Sequence, residues 1–317
     1  MSDHAIEIRD LSKYFRTPMT QRRISVLQGI DLTIARGEIF GFLGPNGAGK
    51  TTTIKILNNL VFPTSGCAFI FGRPTSDMQV RNRLGYLPEH PYFYPHLTGS
   101  ELLDFCCRIF GLKRADRRER ITHLLSRVGL QGAGDVLVAK YSKGMVQRLG
   151  LAQALVNDPQ LVIFDEPMEG LDPLGRRDVK NIMFDLKKQG KTVFFSTHIL
   201  PDVEAVCDRV GILLRGRLSR VGRIDELVRQ HVESIELTAT GLEEKDVLLI
   251  ARKAVRVHQV GTEARFVFGT TADAAQATEH IRKLGGRLIS LVPQSKTLED
   301  YFISQVSAND ESLSNSN

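Results

Sequence analysis

Ile39-Phe40-Gly41-Phe42-Leu43 runs without a polar side chain into Gly44-Pro45-Asn46-Gly47-Ala48-Gly49-Lys50-Thr51-Thr52. Apolar residues then recur at Ile54, Leu57, Leu60 and Val61. A short unbroken apolar run is what a strand covered on both faces needs, and such strands belong to parallel sheets. The spacing after Lys50 is that of one helix face. Strand, glycine-rich turn and helix in this order constrain the core to an α/β architecture. The turn fits G-x-x-x-x-G-K-[ST]. Glycine lets backbone N–H groups wrap an anion with no Cβ in the way. The helix start adds partial positive charge. In this pattern the backbone of residues 44–52 cradles phosphates, Lys50 reaches the β- and γ-phosphates, and the Thr51 hydroxyl ligates Mg²⁺.

A second apolar run, Leu161-Val162-Ile163-Phe164, ends in Asp165-Glu166-Pro167. Ligands of open α/β sheets bind at the carboxyl ends of strands. An aspartate there can hold Mg²⁺, and the adjacent Glu166 is placed to polarise an attacking water. Residues 191–195 read as a further strand, ending in Ser196-Thr197-His198. The His198 imidazole can accept one hydrogen bond and donate another, bridging a γ-phosphate and the Glu166 side.

With 317 residues the chain has length for about two domains. No apolar run approaches the roughly 18 residues of a membrane span, and the first residues carry no basic-then-apolar leader. A cytoplasmic protein is expected, with any membrane role supplied by a partner. Cys67, Cys106, Cys107 and Cys207 lack metal or redox spacing and read as small apolar core residues. The net charge of +6 is dispersed. The densest basic run, residues 113–120, is interleaved with Asp116 and Glu119, as on a solvated helix face. No nucleic-acid partner is expected.

Tyr141-Ser142-Lys143-Gly144-Met145-Val146-Gln147-Arg148 precedes an amphipathic pattern of Val146, Leu149, Ala152 and Leu155. Ser142 suits an N-cap, and Gly144 lets backbone approach an anion. One chain thus carries two helix-start anion sites far apart in sequence. Together with the segments above, in this order, the octapeptide resembles the signature of the ATP-binding cassette (ABC) family, usually LSGGQ. The resemblance covers residues 5–225. It implies that residues 44–51 are Walker A, residues 161–166 Walker B, Glu166 the catalytic glutamate, Gly170-Leu171-Asp172 the D-loop and His198 the switch histidine. It implies a P-loop NTPase core with an antiparallel β-subdomain and a helical subdomain. It implies ATP and Mg²⁺ as ligands, with Phe15 the first choice and Tyr14 the second for stacking on adenine. It also implies a head-to-tail homodimer, each ATP lying between Walker A of one subunit and Ser142, Lys143, Gly144 and Met145 of the other.

Two departures mark the branch. Lys143 and Met145 stand where glycine and glutamine are usual, and Glu89 stands where the Q-loop glutamine would ligate Mg²⁺. A carboxylate can still ligate the metal but, ionised, cannot donate. These features are similar to the ATPases that pair with ABC-2-type permeases. That resemblance implies an exporter subunit, peripheral on the inner face of the membrane. The run His90-Pro91-Tyr92-Phe93-Tyr94-Pro95-His96 and the helical pattern of residues 97–110 either form a groove for a short permease helix or pack the subdomain's own core. We hypothesise that Lys143 adds positive charge beside the opposing γ-phosphate. Two rivals differ in class: a soluble cassette acting on nucleic acid or the ribosome, and a nucleotide-gated scaffold without turnover. The presence of Lys50, Asp165, Glu166 and His198 argues against the scaffold.

Residues 1–230 therefore read as the nucleotide-binding domain, with residues 90–155 as its helical subdomain. Beyond it, strand patterns at 234–240, 256–260, 264–269 and 287–292 alternate with helix patterns at 243–255 and 272–284. This β-α-β-β-α-β order suits a ferredoxin-like module over residues 231–306. Thr297-Leu298-Glu299-Asp300-Tyr301-Phe302 opens a last helix, and residues 307–317 are polar enough for a disordered tail.

Overall fold

The computed structural model describes residues 4–17, 22–228 and 232–295. The chain divides into two compact units, Met1–Arg223 and Ile224–Asn317. The division falls before the expected residue 230, directly after Arg223, where the last hairpin of the first unit ends. The final helix and tail expected after residue 296 lie outside the described residues.

In chain order the first unit contains β1 (His4–Arg16), β2 (Arg23–Ala35), β3 (Ile39–Leu43), α1 (Lys50–Leu57), β4 (Ser65–Ile70), β5 (Arg73–Pro74) and α2 (Met78–Arg81). Next come β6 (Leu84–Leu87), α3 (Gly99–Ile109), α4 (Arg114–Arg127), α5 (Lys143–Ala154), β7 (Leu161–Phe164) and α6 (Pro173–Lys188). The unit ends with β8 (Thr192–Thr197), α7 (Leu200–Val206), β9 (Arg209–Leu214) and β10 (Arg217–Arg223). The central sheet has the order β10-β9-β3-β8-β7-β6. All its neighbours are parallel except the β9–β10 hairpin, which turns on Arg215 and Gly216, both at positive φ. Such a turn matches the twist of the strands it joins. Every residue of β3, β7 and β8 is buried, as the continuous apolar character of β3 and β7 requires; β8 also buries Thr192, Ser196 and Thr197.

One face of this sheet packs against the antiparallel sheet β2-β1-β4-β5 through Ile6, Ile30, Phe40, Phe42 and Phe194. The other packs against the helices through Leu103, Leu149, Phe164, Met183 and Phe195. α1 stops at Leu57 rather than continuing to Val61. Asn59 takes a left-handed φ of 54° and leaves Leu60 exposed. α3 begins at Gly99 because Thr98 and Glu101 form a reciprocal capping box. The basic run of α4 does more than face solvent. Arg117 pairs with Asp104 at 3.1 Å, and Arg120 donates to the carbonyls of Leu155 and Val156. Of the four cysteines, Cys106 and Cys107 are core residues, but Cys67 is exposed on β4.

The second unit contains α8 (Ile224–Val228), β11 (Val232–Thr240), α9 (Glu244–Ala251), β12 (Arg256–Val260), β13 (Glu263–Phe268), α10 (Thr271–Lys283) and β14 (Arg287–Ser295). Its sheet order is β12-β13-β11-β14, all antiparallel. That is the split βαβ arrangement of the ferredoxin-like module. Leu237, Phe266 and Phe268 pack under Val247, Ile250 and Ile281 in a core of its own.

Candidate active site

Strand register assembles the site. Leu43 pairs with Thr197 and Phe164 with Phe195, so β3 and β8 end together and β7 ends two residues short, which brings Asp165 and Glu166 alongside the last residues of β8. The loop after β3 is held from several sides. Gly44 N donates to the Thr197 carbonyl at 3.2 Å, and Gly216 N donates to that of Ala48 at 2.9 Å. A Cβ on Gly44 would stand 2.4 Å from the Leu213 carbonyl oxygen. Gly47 and Gly49 take φ of 80° and 110°, which side-chain-bearing residues rarely adopt. A Cβ on Gly49 would also meet Leu27 Cδ2 at 2.6 Å, whereas one on Gly47 would meet nothing within 4 Å. The loop is therefore rigid where it touches the protein and open where a ligand would approach.

Lys50 is buried. Its Nζ donates to the carbonyls of Gly44 at 2.7 Å and Pro45 at 3.3 Å. The same ammonium stands 3.2 Å from Glu166 Oε1, an ion pair without hydrogen-bond geometry, since that oxygen has no hydrogen-bond partner. Thr51 Oγ1 donates to Asp165 Oδ1 at 3.3 Å. Ser196 Oγ donates to the same oxygen at 2.6 Å and accepts from Glu166 N at 3.0 Å. Glu166 itself sits at a left-handed φ of 46°, a conformation that costs energy for a residue with a side chain. His198 Nδ1 lies 3.1 Å from Glu166 Oε2, and its Nε2 makes no hydrogen bond among the described residues.

Electrostatics here are tense. Burial first, then the charges of Glu89 and Glu166, push the Asp165 carboxyl above its ordinary range, against the bonds from Ser196 and Thr51. Burial, with Asp165 and Glu89 nearby, pushes Tyr86 up to about 12. Among the described residues, Asp165 Oδ2 and Glu166 Oε1 are buried without a hydrogen bond. Buried oxygens in that condition are costly unless something compensates them. Thr51 Oγ1 and the Asp165 carboxylate are hard oxygen donors of the kind Mg²⁺ takes, so the residues fit a magnesium–nucleotide complex.

Sequence reading gathered Lys50, Thr51, Asp165, Glu166 and His198, and the fold brings these together. It did not assign Ser196, although a serine at the end of a buried strand, two residues before His198, is a usable signal. Glu89 makes no hydrogen bond to Thr51 or Asp165. Its charge acts on Asp165, and its carboxylate gathers with His90 and Glu169, their ligand atoms all within 4.8 Å of one another. Phe15 is exposed with Lys13 Nζ 4.8 Å from its ring centroid, while Arg23 covers Tyr14 at 4.9 Å. Ser142 caps α5 by accepting from Met145 N at 3.2 Å. No hydrogen bond or ion pair joins residues 142–145 to residues 44–52 among the described residues. A Cβ on Gly144 would find nothing closer than Leu171 Cδ2 at 3.6 Å. Among the described residues, no helix is long and apolar enough to cross a membrane.

The ABC transporter family pattern matches residues 27–169. An uncharacterized ABC transporter ATP-binding protein of Nostoc sp. (strain PCC 7120) is 41% identical over 309 residues, covering 96% of this chain and 90% of the relative. The bacitracin transport ATP-binding protein BcrA of Bacillus licheniformis is 32% identical, over 94% of this chain and 96% of that protein. The Nod factor export ATP-binding protein I of Rhizobium sp. (strain N33) is also 32% identical, over 96% and 97%. A solved ATP-binding subunit of an ABC transporter superposes with a TM-score of 0.63 at 35% identity, covering 71% of this chain and 92% of that one. A phosphate loop, a carboxylate pair and a histidine converging at three parallel strand ends agree with these likenesses: the chain is an ATPase and belongs to the ATP-binding proteins of the ABC transporter family.

Proposed function

We propose that this chain is the ATPase subunit of an ABC-2-type exporter, peripheral on the inner face of the membrane through a separate permease. The observation that carries the reading is the pair of buried carboxylate oxygens without hydrogen bonds, Asp165 Oδ2 and Glu166 Oε1, beside Lys50 and Thr51. Similarity over 96% of this chain to a protein named for Nod factor export supports the direction of transport.

Residues 44–52 would hold the phosphates of ATP, Thr51, Glu89 and Asp165 the Mg²⁺, and Phe15, or next Tyr14, the adenine. Magnesium held there would neutralise charge on the phosphates. Ser196 holds Asp165 by its side chain and Glu166 by its backbone. Glu166 Oε1 polarises the attacking water, and His198 steadies the other carboxylate oxygen. Lys50 keeps an ammonium beside that chemistry in a buried setting, where charge acts strongly. The second anion site, at Ser142, Gly144 and Met145, faces the nucleotide of a second copy in a head-to-tail pair. Such a pair buries the same patch on both partners.

The permease has a fitting surface. A groove of about 430 Å³ is lined by Leu60, Arg81, Tyr86, Pro91, Tyr92 and Phe110. Of these, Tyr92 is 89% exposed. An apolar, aromatic groove suits a short amphipathic helix of the partner. The direct test is Glu166→Gln. We expect turnover to fall by at least about a hundredfold while ATP binding and ATP-dependent dimerisation persist. Undiminished turnover would sink the role of Glu166.

A further inference from the structure

Lys143 occupies the signature position where this chain departs from glycine, and its side chain does not stand alone. A Cβ on Gly170 would lie 2.8 Å from both Cε and Nζ of Lys143 and 3.2 Å from its Cδ. The lysine stem therefore lies across the bare Cα of Gly170, in the same chain. Gly170 has φ 69°, so no larger residue would sit there comfortably. Two further contacts join the start of α5 to the same loop. Gln147 Nε2, buried, donates to the Pro167 carbonyl at 3.2 Å, and Gly144 faces Leu171. The loop is short and bounded. It leaves Glu166 at one end, and at the other Asp172 caps α6 by accepting from Gly175 N at 2.7 Å. Its interior is held by Glu169 N on the Glu166 carbonyl at 3.1 Å and by a long bond from Leu171 N to Met168 at 3.4 Å. A glycine at position 143 would remove this contact with Gly170.

We propose that Lys143 is a positioning residue. Its aliphatic stem clamps residues 167–172 to the signature turn of its own subunit and so holds the adjacent Glu166 in place. Lysine stems cover neighbouring surface, and Cδ, Cε and Nζ of this exposed side chain all lie over Gly170, so we assign the contact to the length of the side chain more than to its charge. This assignment replaces the charge-on-phosphate role hypothesised from sequence. It rests on Glu166 acting as the water-polarising group, which Glu166→Gln tests separately.

The experiment compares Lys143→Gly and Lys143→Met in the full-length chain. Glycine removes the clamp; methionine keeps a stem without charge. For Lys143→Gly, kcat should fall about tenfold with KM for ATP within about twofold, because a displaced Glu166 is felt in the reaction step and not in binding. Lys143→Met should recover most of that loss. Hydrogen exchange of the nucleotide-free protein should be faster at residues 168–171 in the glycine variant than in the parent or the methionine variant. Gly170→Ala supplies a second route: its Cβ displaces the lysine, so its effect on turnover should be smaller in the Lys143→Gly background than in the parent. The proposal is overturned if Lys143→Met loses as much turnover as Lys143→Gly with a raised KM, which would assign the charge to the opposing phosphate. Equal loop exchange in all three proteins would overturn it as well.

Discussion

Ser196→Ala is the sharpest test of how the site is built. The Ser196 side chain is fully buried, and its hydroxyl makes two bonds, to Asp165 Oδ1 at 2.6 Å and from Glu166 N at 3.0 Å. Alanine leaves the Glu166 N–H without an acceptor at a residue already held at positive φ. It leaves Asp165 Oδ1 with only the 3.3 Å bond from Thr51. A hydrogen bond to a charged group is worth about 1.5–3 kcal/mol, and an orphaned buried donor costs about 1–3 kcal/mol. The two share one hydroxyl and do not add fully, so about 3 kcal/mol is the reasonable sum. For a unit of this size that corresponds to a fall in Tm of about 6–12 °C. Turnover should fall about tenfold to a hundredfold, as Glu166 loses its backbone anchor. Nucleotide-free melting followed by circular dichroism, with steady-state ATP hydrolysis on the same preparation, reads both effects. A Tm within about 2 °C of the parent together with unaltered turnover would refute the claim that Ser196 joins the two carboxylates.

Other outcomes follow from the same geometry. The Asp165 carboxyl is raised above its ordinary value of 3.8, chiefly by burial, so the folded state favours the protonated form. Its contribution to stability is full below that ordinary value and is lost as pH rises through the raised folded value. Without Mg²⁺, Asp165→Asn should therefore gain on the parent in Tm across that rise, and magnesium–ATP should reverse the order; a difference that is flat with pH would refute this. Gly44→Ala and Gly47→Ala separate space from backbone strain. Gly44→Ala drives a Cβ to 2.4 Å from a backbone oxygen and should cost more stability than the roughly 1 kcal/mol of left-handed strain at Gly47. Equal melting of the two variants would contradict that ordering.

Much of the site was legible because its chemistry is local. Residues 44–52 and the pair Asp165-Glu166 announce themselves by residue type within a few positions of an apolar strand. The β-α-β-β-α-β module was legible for the same reason, its strands and helices being separately periodic. Ser196 was not, because its meaning depends on which strand lies beside β8. Nor was it legible that the Glu89 carboxylate gathers with His90 and Glu169 while its charge acts on Asp165, an association set by where the loop after β7 turns. Cys67 read as a core residue and is exposed, since composition does not say which side of β4 is covered. That the Lys143 side chain lies over Gly170 of its own chain was not legible either, because residues 143 and 170 meet only in the fold.

The sequence by itself determined the strand–loop–helix unit, the acidic strand end and the two-unit plan, because each rests on contacts among near neighbours in the chain. Tertiary structure alone decided that Phe164 pairs with Phe195 and Leu43 with Thr197. That register aligns Gly44, Asp165, Glu166, Ser196 and His198 across three strands distant in sequence. Parallel strands meet only through long crossovers, so nothing local encodes which residues become partners. The packing of helices and sheets around β3, β7 and β8 sets it.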